Sequence, residues 1–182
     1  MNHDDHVGLI RAGVAGAGPR WLELGAGEGA FTLALADVLG PGGSILATDR
    51  DGRAVRAAVA AVGERFPAVE VEERVVDFTD GIPDGPFDGV LAANTLHFVR
   101  ERHPTLRAIR ASIVPGGRLL VVEYDADRGN PWVPHPFSFE TWRVEATRAG
   151  FGEPRRIGRV PSRFLNAIWS AVAEMPEEPP RP

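Results

Sequence analysis

Cysteine is absent, and so is lysine: all 20 basic residues are arginine. The first absence excludes disulfides, thiolate nucleophiles and thiolate metal sites, and it suits a reducing cytoplasm, the expected location. The second excludes Schiff-base chemistry through a lysine amine. Long apolar runs are missing too. Nothing approaches the ~20 continuous apolar residues that a membrane-spanning helix needs. The acidic, polar start Met1-Asn-His-Asp-Asp5 lacks the basic and apolar regions of a secretory signal. The net charge is −5 and no basic cluster occurs, whereas nucleic-acid binders present a basic face to phosphate. A small-molecule partner is therefore expected, with no nucleic acid and no membrane. No histidine pair has metal-ligand spacing, so no metal is expected. Arginine without lysine, beside abundant Ala, Gly and Pro, is the bias of a GC-rich bacterial genome.

A chain of 182 residues, 43% of them hydrophobic, is long enough to bury one sizeable core. One domain is expected over residues 1–174. The proline-rich, acidic tail 175–182 is expected to be disordered, and the first four residues loose.

Between these ends strands alternate with helices. Arg20–Leu24 reads as a strand stopped by glycine. Phe31, Leu35, Val38 and Leu39 follow at helical spacing until Gly40-Pro-Gly-Gly43. Ser44–Asp49 is a second strand, Val55, Val59 and Val62 mark a second helix, and Val69–Val76 is a third strand. Phe87–Ala93, nearly all apolar, fits a buried parallel strand. Leu106, Ile109 and Ile113 mark a helix stopped by Pro115-Gly-Gly117, and Arg118–Tyr124 is a fifth strand. Phe139, Trp142, Ala146 and Ala149 share one helical face, with Ser138 as N-cap and Gly150 as stop. Two last strands, Pro154–Val160 and Asn166–Ala173, join through Pro161-Ser162; the second also fits a short helix. This alternation predicts an α/β fold: a Rossmann-like doubly wound sheet, mostly parallel and seven-stranded, with an antiparallel C-terminal strand. Such sheets bind ligands beyond the carboxyl ends of their strands.

At that edge lies Glu23-Leu-Gly-Ala-Gly-Glu-Gly29, between the first strand and the first helix. Glycine lets backbone turn sharply and approach a ligand, and the following helix offers free N–H groups. Alone, the loop also fits an ordinary tight turn. Asp49 ends the second strand about 20 positions later, where an acid accepts hydrogen bonds from ribose hydroxyls. Asp49 also fits a helix N-cap, and Asp51 is the fallback ribose acid if the strand boundary lies two residues away. Dinucleotide enzymes share both features. Against a dinucleotide, the third glycine of the usual motif falls on Ala30, and Glu28 at the helix start would repel a pyrophosphate.

Four further pieces, in order, resemble the class I S-adenosylmethionine-dependent methyltransferases. They are Glu23 before the loop, Asp77-Phe78 after the third strand, Phe87-Asp-Gly-Val-Leu-Ala-Ala-Asn94 with Leu96-His97, and Val114-Pro-Gly-Gly-Arg-Leu-Leu120. The resemblance covers residues 18–174. It implies S-adenosylmethionine as cofactor, held by Glu23, Gly25, Ala26 and Gly27, by Asp49 and Arg50, by Asp77 and Phe78, and by Asn94. It implies a methyltransferase with a small-molecule acceptor. The alternatives are an NAD oxidoreductase and a non-catalytic S-adenosylmethionine-binding module.

The resemblance also turns His97 towards the transferred methyl group; its plainer reading is a helix-start residue bonded to backbone. Tyr124, the single tyrosine, could orient a substrate or find a buried partner. These two are the candidate catalytic residues. Glu123 and Asp125 read as loop acids. The irregular stretch 126–137 carries Trp132, His135 and Phe137, an aromatic edge fit for a substrate wall or a surface loop pinned by its own rings. Trp132 and His135 are the substrate-binding candidates. Only Asp5–Ala15 precedes the first strand as helix material, so the site is open or is completed by another subunit, and the oligomeric state stays undecided.

Overall fold

A computed structural model describes residues 1–162 and 164–177. The elements run α1 (His3–Val14), β1 (Arg20–Leu24), α2 (Ala30–Leu39), β2 (Ser44–Asp49), α3 (Gly52–Arg65), β3 (Glu70–Val75) and β4 (Phe87–Ala93). After a 3-10 turn at Leu96–Phe98 come α4 (Arg102–Ser112), β5 (Ile113–Tyr124), α5 (Phe139–Arg148), β6 (Arg155–Pro161) and β7 (Ala167–Glu174). The seven strands form one sheet in the order β3-β2-β1-β4-β5-β7-β6. Pairings among β1 to β5 are parallel, and β7 runs antiparallel between β5 and β6. This is the Rossmann-like arrangement expected from the alternation.

Strand side chains alternate between the two faces, and both faces of the central strands are buried. On one face Trp21, Leu91, Leu120 and Val122 pack with Ile10, Phe31, Leu35 and Val55 from α1, α2 and α3. On the other, Leu22, Val90, Val121 and Trp169 pack with Leu106, Ile109, Trp142 and Ala146 from α4 and α5. Each fully buried large side chain stabilises the fold by about 1.5–3 kcal/mol relative to exposure. Since both faces are packed mainly with apolar side chains, most charged and polar groups gather at the rims of the sheet. β3 is an edge strand exposed along most of its length, and Glu70, Glu72, Glu73 and Arg74 keep that edge from pairing with other chains.

Several boundaries differ from those expected. The start of the chain is not loose: α1 begins at His3, capped by Asn2, whose side chain accepts from Asp5 N–H while the Asp5 carboxylate accepts from Asn2 N–H. This reciprocal pair satisfies two donors at the helix start. His3 then bonds Asp37 at 2.8 Å, and the His6 ring packs edge-on against Phe31. The α4 helix ends at Ser112, and Ile113 already belongs to β5, opposite Phe87. Pro115-Gly-Gly117 therefore interrupts the register inside a strand, which resumes with Arg118 opposite Gly89. The first βα helix starts at Ala30, so Glu28 lies in the loop before it. The β3 strand is shorter than expected at both ends, and Ala167–Glu174 is a strand, with no helix. The Ser138 cap and the Gly150 stop are as expected. Of the tail expected to be disordered, residues 178–182 lie outside the described residues.

Asn2→Ala removes the α1 cap and should lower the unfolding free energy by about 1 kcal/mol, read by urea denaturation. Unchanged stability would mean that α1 contributes little to the fold.

Candidate active site

The loop between β1 and α2 is tied to β2 by three hydrogen bonds. Ala26 N–H donates to Thr48 O at 2.8 Å, Gly27 N–H donates to an Asp49 carboxylate oxygen at 2.8 Å, and the Thr48 hydroxyl donates to Glu23 O at 2.7 Å. Two glycines are required here. A Cβ on Gly25 would strike the Thr95 hydroxyl, and at Gly27 φ is +52° with open space where a Cβ would stand. Gly27 thus offers bare backbone to a cavity of about 470 Å³.

That cavity gathers most of the predicted cofactor residues. Gly25 and Gly27 line it from the loop, Asp49 and Arg50 from the end of β2, Asp77 and Phe78 from beyond β3, and Asn94 from the end of β4. Ala26 and Glu23 do not line it; both are buried, Glu23 beneath the loop. Asp49 and Asp51 divide the two roles weighed for them. Asp51 caps α3 through Arg53 and Ala54 N–H, while Asp49 faces the cavity and braces Gly27. Each Asp49 oxygen accepts one backbone N–H and retains a lone pair. Asp77 is held by the Thr79 hydroxyl and N–H, which keep its carboxyl below the ordinary value. Asn94 is in the left-handed region at φ +51°, and its Oδ1 is buried with no hydrogen-bond partner among the described residues. An orphaned acceptor inside the cavity calls for a donor from a ligand. Bare backbone at Gly27, carboxylates at Asp49 and Asp77, and this acceptor fit the ammonium, carboxylate, hydroxyl and amino groups of S-adenosylmethionine. Thr79, Thr95 and Phe98 also line the cavity. They sit in turns and a short 3-10 segment, where the sequence carries no periodic signal.

The rim beside the cavity holds a carboxylate–imidazole pair. The Glu123 side chain is fully buried at the end of β5, and its two oxygens meet His97, one at Nδ1 (2.8 Å) and the other at the backbone N–H (3.2 Å). The loop-acid reading of Glu123 is therefore corrected. Its neighbour in register, Val122, lies opposite Ala93 at the end of β4, so the sheet itself carries Glu123 to the turn that bears His97. The acceptor at Nδ1 fixes the tautomer with the proton on that nitrogen and the lone pair on Nε2. The His97 ring lies 4.3 Å from the Phe98 ring and 6.1 Å from the Tyr124 ring. Burial, with the Glu123 charge beside it, pushes the Tyr124 phenol up, so it remains a neutral donor at neutral pH. Asp125 does sit in a loop, paired with Arg159.

Stretch 126–137 is fastened to this rim by Arg102. Its guanidinium grips Glu145 with two bonds of 2.7 and 2.8 Å, donates to His135 O and Val99 O, and lies over the Phe137 ring at 4.2 Å. His135 N–H donates to His97 O at 3.0 Å. His135 thus anchors the loop through its backbone, and Trp132 stands exposed at its tip. Nothing in the sequence singles Arg102 out from the other arginines on α4.

Burial pushes the Glu23 carboxyl up to about 7. The Thr32 hydroxyl opposes the shift without completing a hydrogen bond, and the Asp49 charge adds to it. A carboxyl raised on folding contributes stability below its unfolded value near 4.5 that is lost as pH rises through about 7. His6, pushed down by burial, acts in the opposite sense below its ordinary 6.5. Glu23→Gln should therefore gain stability relative to wild type as pH rises from 5 to 8, read as the difference between two denaturation series. Parallel series would contradict the shift.

Comparisons with known proteins agree with this geometry. The family model described as a methyltransferase domain matches residues 22–119, more than half of the chain. A reducing polyketide synthase, grgA, from a Penicillium species is 36% identical over 114 residues, 59% of this chain and 4% of that protein. The ubiquinone/menaquinone biosynthesis C-methyltransferase UbiE of Pasteurella multocida is 31% identical over 113 residues, 59% of this chain and 40% of that protein. The chain thus spans less than half the length of both curated relatives. Among solved structures, the N-terminal domain of EvdMO1 with SAH bound superposes with a TM-score of 0.68 at 27% identity, covering 96% of this chain and 81% of that one. With the matched region running from β1 into β5 across the glycine loop, Asp49 and Asn94, the chain belongs to the class I S-adenosylmethionine-dependent methyltransferases.

Proposed function

We propose that this chain methylates a small molecule whose accepting atom starts protonated, a hydroxyl or an activated carbon, with His97 as general base. The observation that carries this reading is the buried Glu123–His97 pair, in the turn whose residues Thr95 and Phe98 line the cavity. A nucleophile that is already anionic needs no base, so a buried, oriented imidazole would serve it nothing. When bound, S-adenosylmethionine supplies an electrophilic methyl group on a sulfonium, which becomes a neutral thioether as the methyl leaves. Asp49 accepts from the ribose hydroxyls, Asp77 and the Phe78 backbone meet the adenine, and the Gly25–Gly27 backbone with Asn94 holds the methionine end. His97 Nε2 takes the acceptor's proton as the methyl–acceptor bond forms. Glu123 keeps the ring in the productive tautomer and stabilises the charge that the ring acquires, as the buried acid does in hydrolase triads. Tyr124, neutral and close to His97, donates to an oxygen of the acceptor. The relatives' names, a quinone-biosynthesis C-methyltransferase and polyketide synthases, support a small acceptor bearing hydroxyl or carbonyl-activated carbon.

The test is release of S-adenosylhomocysteine (SAH) from S-adenosylmethionine over a panel of phenols and 1,3-dicarbonyl compounds. Acceptor-dependent release is expected, and its absence across the panel would contradict the reading. With a responding acceptor, His97→Ala should lower kcat by about 10²–10⁴-fold while leaving SAH affinity unchanged. Glu123→Gln should lower kcat through the wrong tautomer. A full rate in His97→Ala would remove that residue as the base.

A further inference from the structure

Exposed aromatic rings are concentrated at one corner of the rim. Trp132 is 71% exposed, Phe98 54% and Phe164 47%, whereas Trp21, Trp142 and Trp169 are wholly buried. The exposed rings come from three separate segments, yet they converge. Phe164, in the turn between β6 and β7, lies 5.8 Å from the Tyr124 ring and 6.2 Å from Trp132, tilted to the first by 53° and to the second by 72°. Tyr124 continues to His97 and His97 to Phe98, which lines the cofactor cavity. A second cavity of about 730 Å³ opens against Tyr124 and Phe164, with Val160, Pro161 and Ile168 among its walls beside Met1 and Asp5. The rings meet tilted or edge to face, an arrangement favourable in itself, and the exposure of Trp132 and Phe164 leaves ring surface open to the π-system of a ligand. Scattered exposed apolar residues need no explanation, but a contiguous patch beside polar chemistry marks a binding site.

We infer that this corner is the acceptor site and that the acceptor is a planar, conjugated molecule, its ring system against Phe164 and Trp132 and its reacting edge directed past Tyr124 to His97. The inference rests on the methyltransferase reading above and adds the acceptor's class to it. Phe164 and Trp132 thereby determine specificity without touching the reacting atoms. The apolar walls at Val160, Pro161 and Ile168 suit an apolar body. The position of Phe164 between Tyr124 and Trp132 makes this residue part of the site, a role that its distance along the chain from the cofactor loop conceals.

The test is calorimetric titration of the SAH-loaded protein with 2-naphthol, and with its saturated counterpart decahydro-2-naphthol as the non-planar control. Binding of 2-naphthol is expected, weakened about tenfold by Phe164→Ala and by Trp132→Ala, with SAH affinity unchanged in both. Both side chains are exposed, so neither substitution opens the core. Equal 2-naphthol affinity in wild type and both variants would overturn the inference. So would equal affinity for the saturated alcohol. Failure of 2-naphthol to bind protein that holds SAH would overturn this inference alone, whereas failure to bind SAH would overturn both it and the reading beneath it.

Discussion

The hydrogen bond from Gly27 N–H to the Asp49 carboxylate joins the parts on which the rest of the site depends. It links the loop after β1 to the end of β2, so two neighbouring parallel strands terminate on a single shaped surface. Residue types follow from that constraint. Position 27 must adopt a positive φ, position 25 must pass the Thr95 hydroxyl, and position 49 must be an acceptor with a lone pair to spare. Because both faces of the sheet are packed with apolar side chains, the rim is where polar groups can be hydrated, paired or turned to a ligand. Glu23 marks the boundary of that rule: one step below the loop, the same kind of carboxyl is buried and its ionisation becomes costly.

Much of the lining of the cavity beside the glycine loop was legible in the sequence, because its signals are local. Glycines in a tight turn, and acids at the ends of strands, betray themselves by spacing along the chain. Asp49, Asp77 and Asn94 reach the cavity because each ends or follows a parallel strand. The Glu123–His97 pair was only half legible. His97 stood out beside β4, but Glu123 looked like a loop acid, since neither its neighbours nor its spacing reveals burial. The pairing arises from the β4–β5 register, a property of the sheet that no window of sequence contains. The same holds for Arg102, whose partners Glu145 and His135 lie on other elements. The start of α1 differs. Its place at the chain end suggested looseness, yet the local hydrogen bonds between Asn2 and Asp5 prevail. Pro115-Gly-Gly117 likewise reads as a stop before a strand, whereas the chain tolerates it inside β5 as a shift of register.

The two ends proposed for donor and acceptor are built from different material. The cavity at the donor end rests on short, tight turns next to the central strands β1, β2 and β4. The proposed acceptor end draws on the end of β5, stretch 126–137 and Phe164, where Arg102 and aromatic contacts join segments that the sheet does not pair. Such connections tolerate change more readily than strand ends do. One donor platform can therefore serve different acceptors, consistent with the range of names borne by its relatives.

The most direct measurement is titration calorimetry of S-adenosylmethionine against the wild-type chain and Asp49→Ala. The account predicts one cofactor per chain, and a loss of about 1.5–3 kcal/mol, roughly ten- to more than a hundredfold, when the ionised acceptor is removed. Absence of binding at millimolar cofactor, or equal affinity in the two proteins, would contradict it.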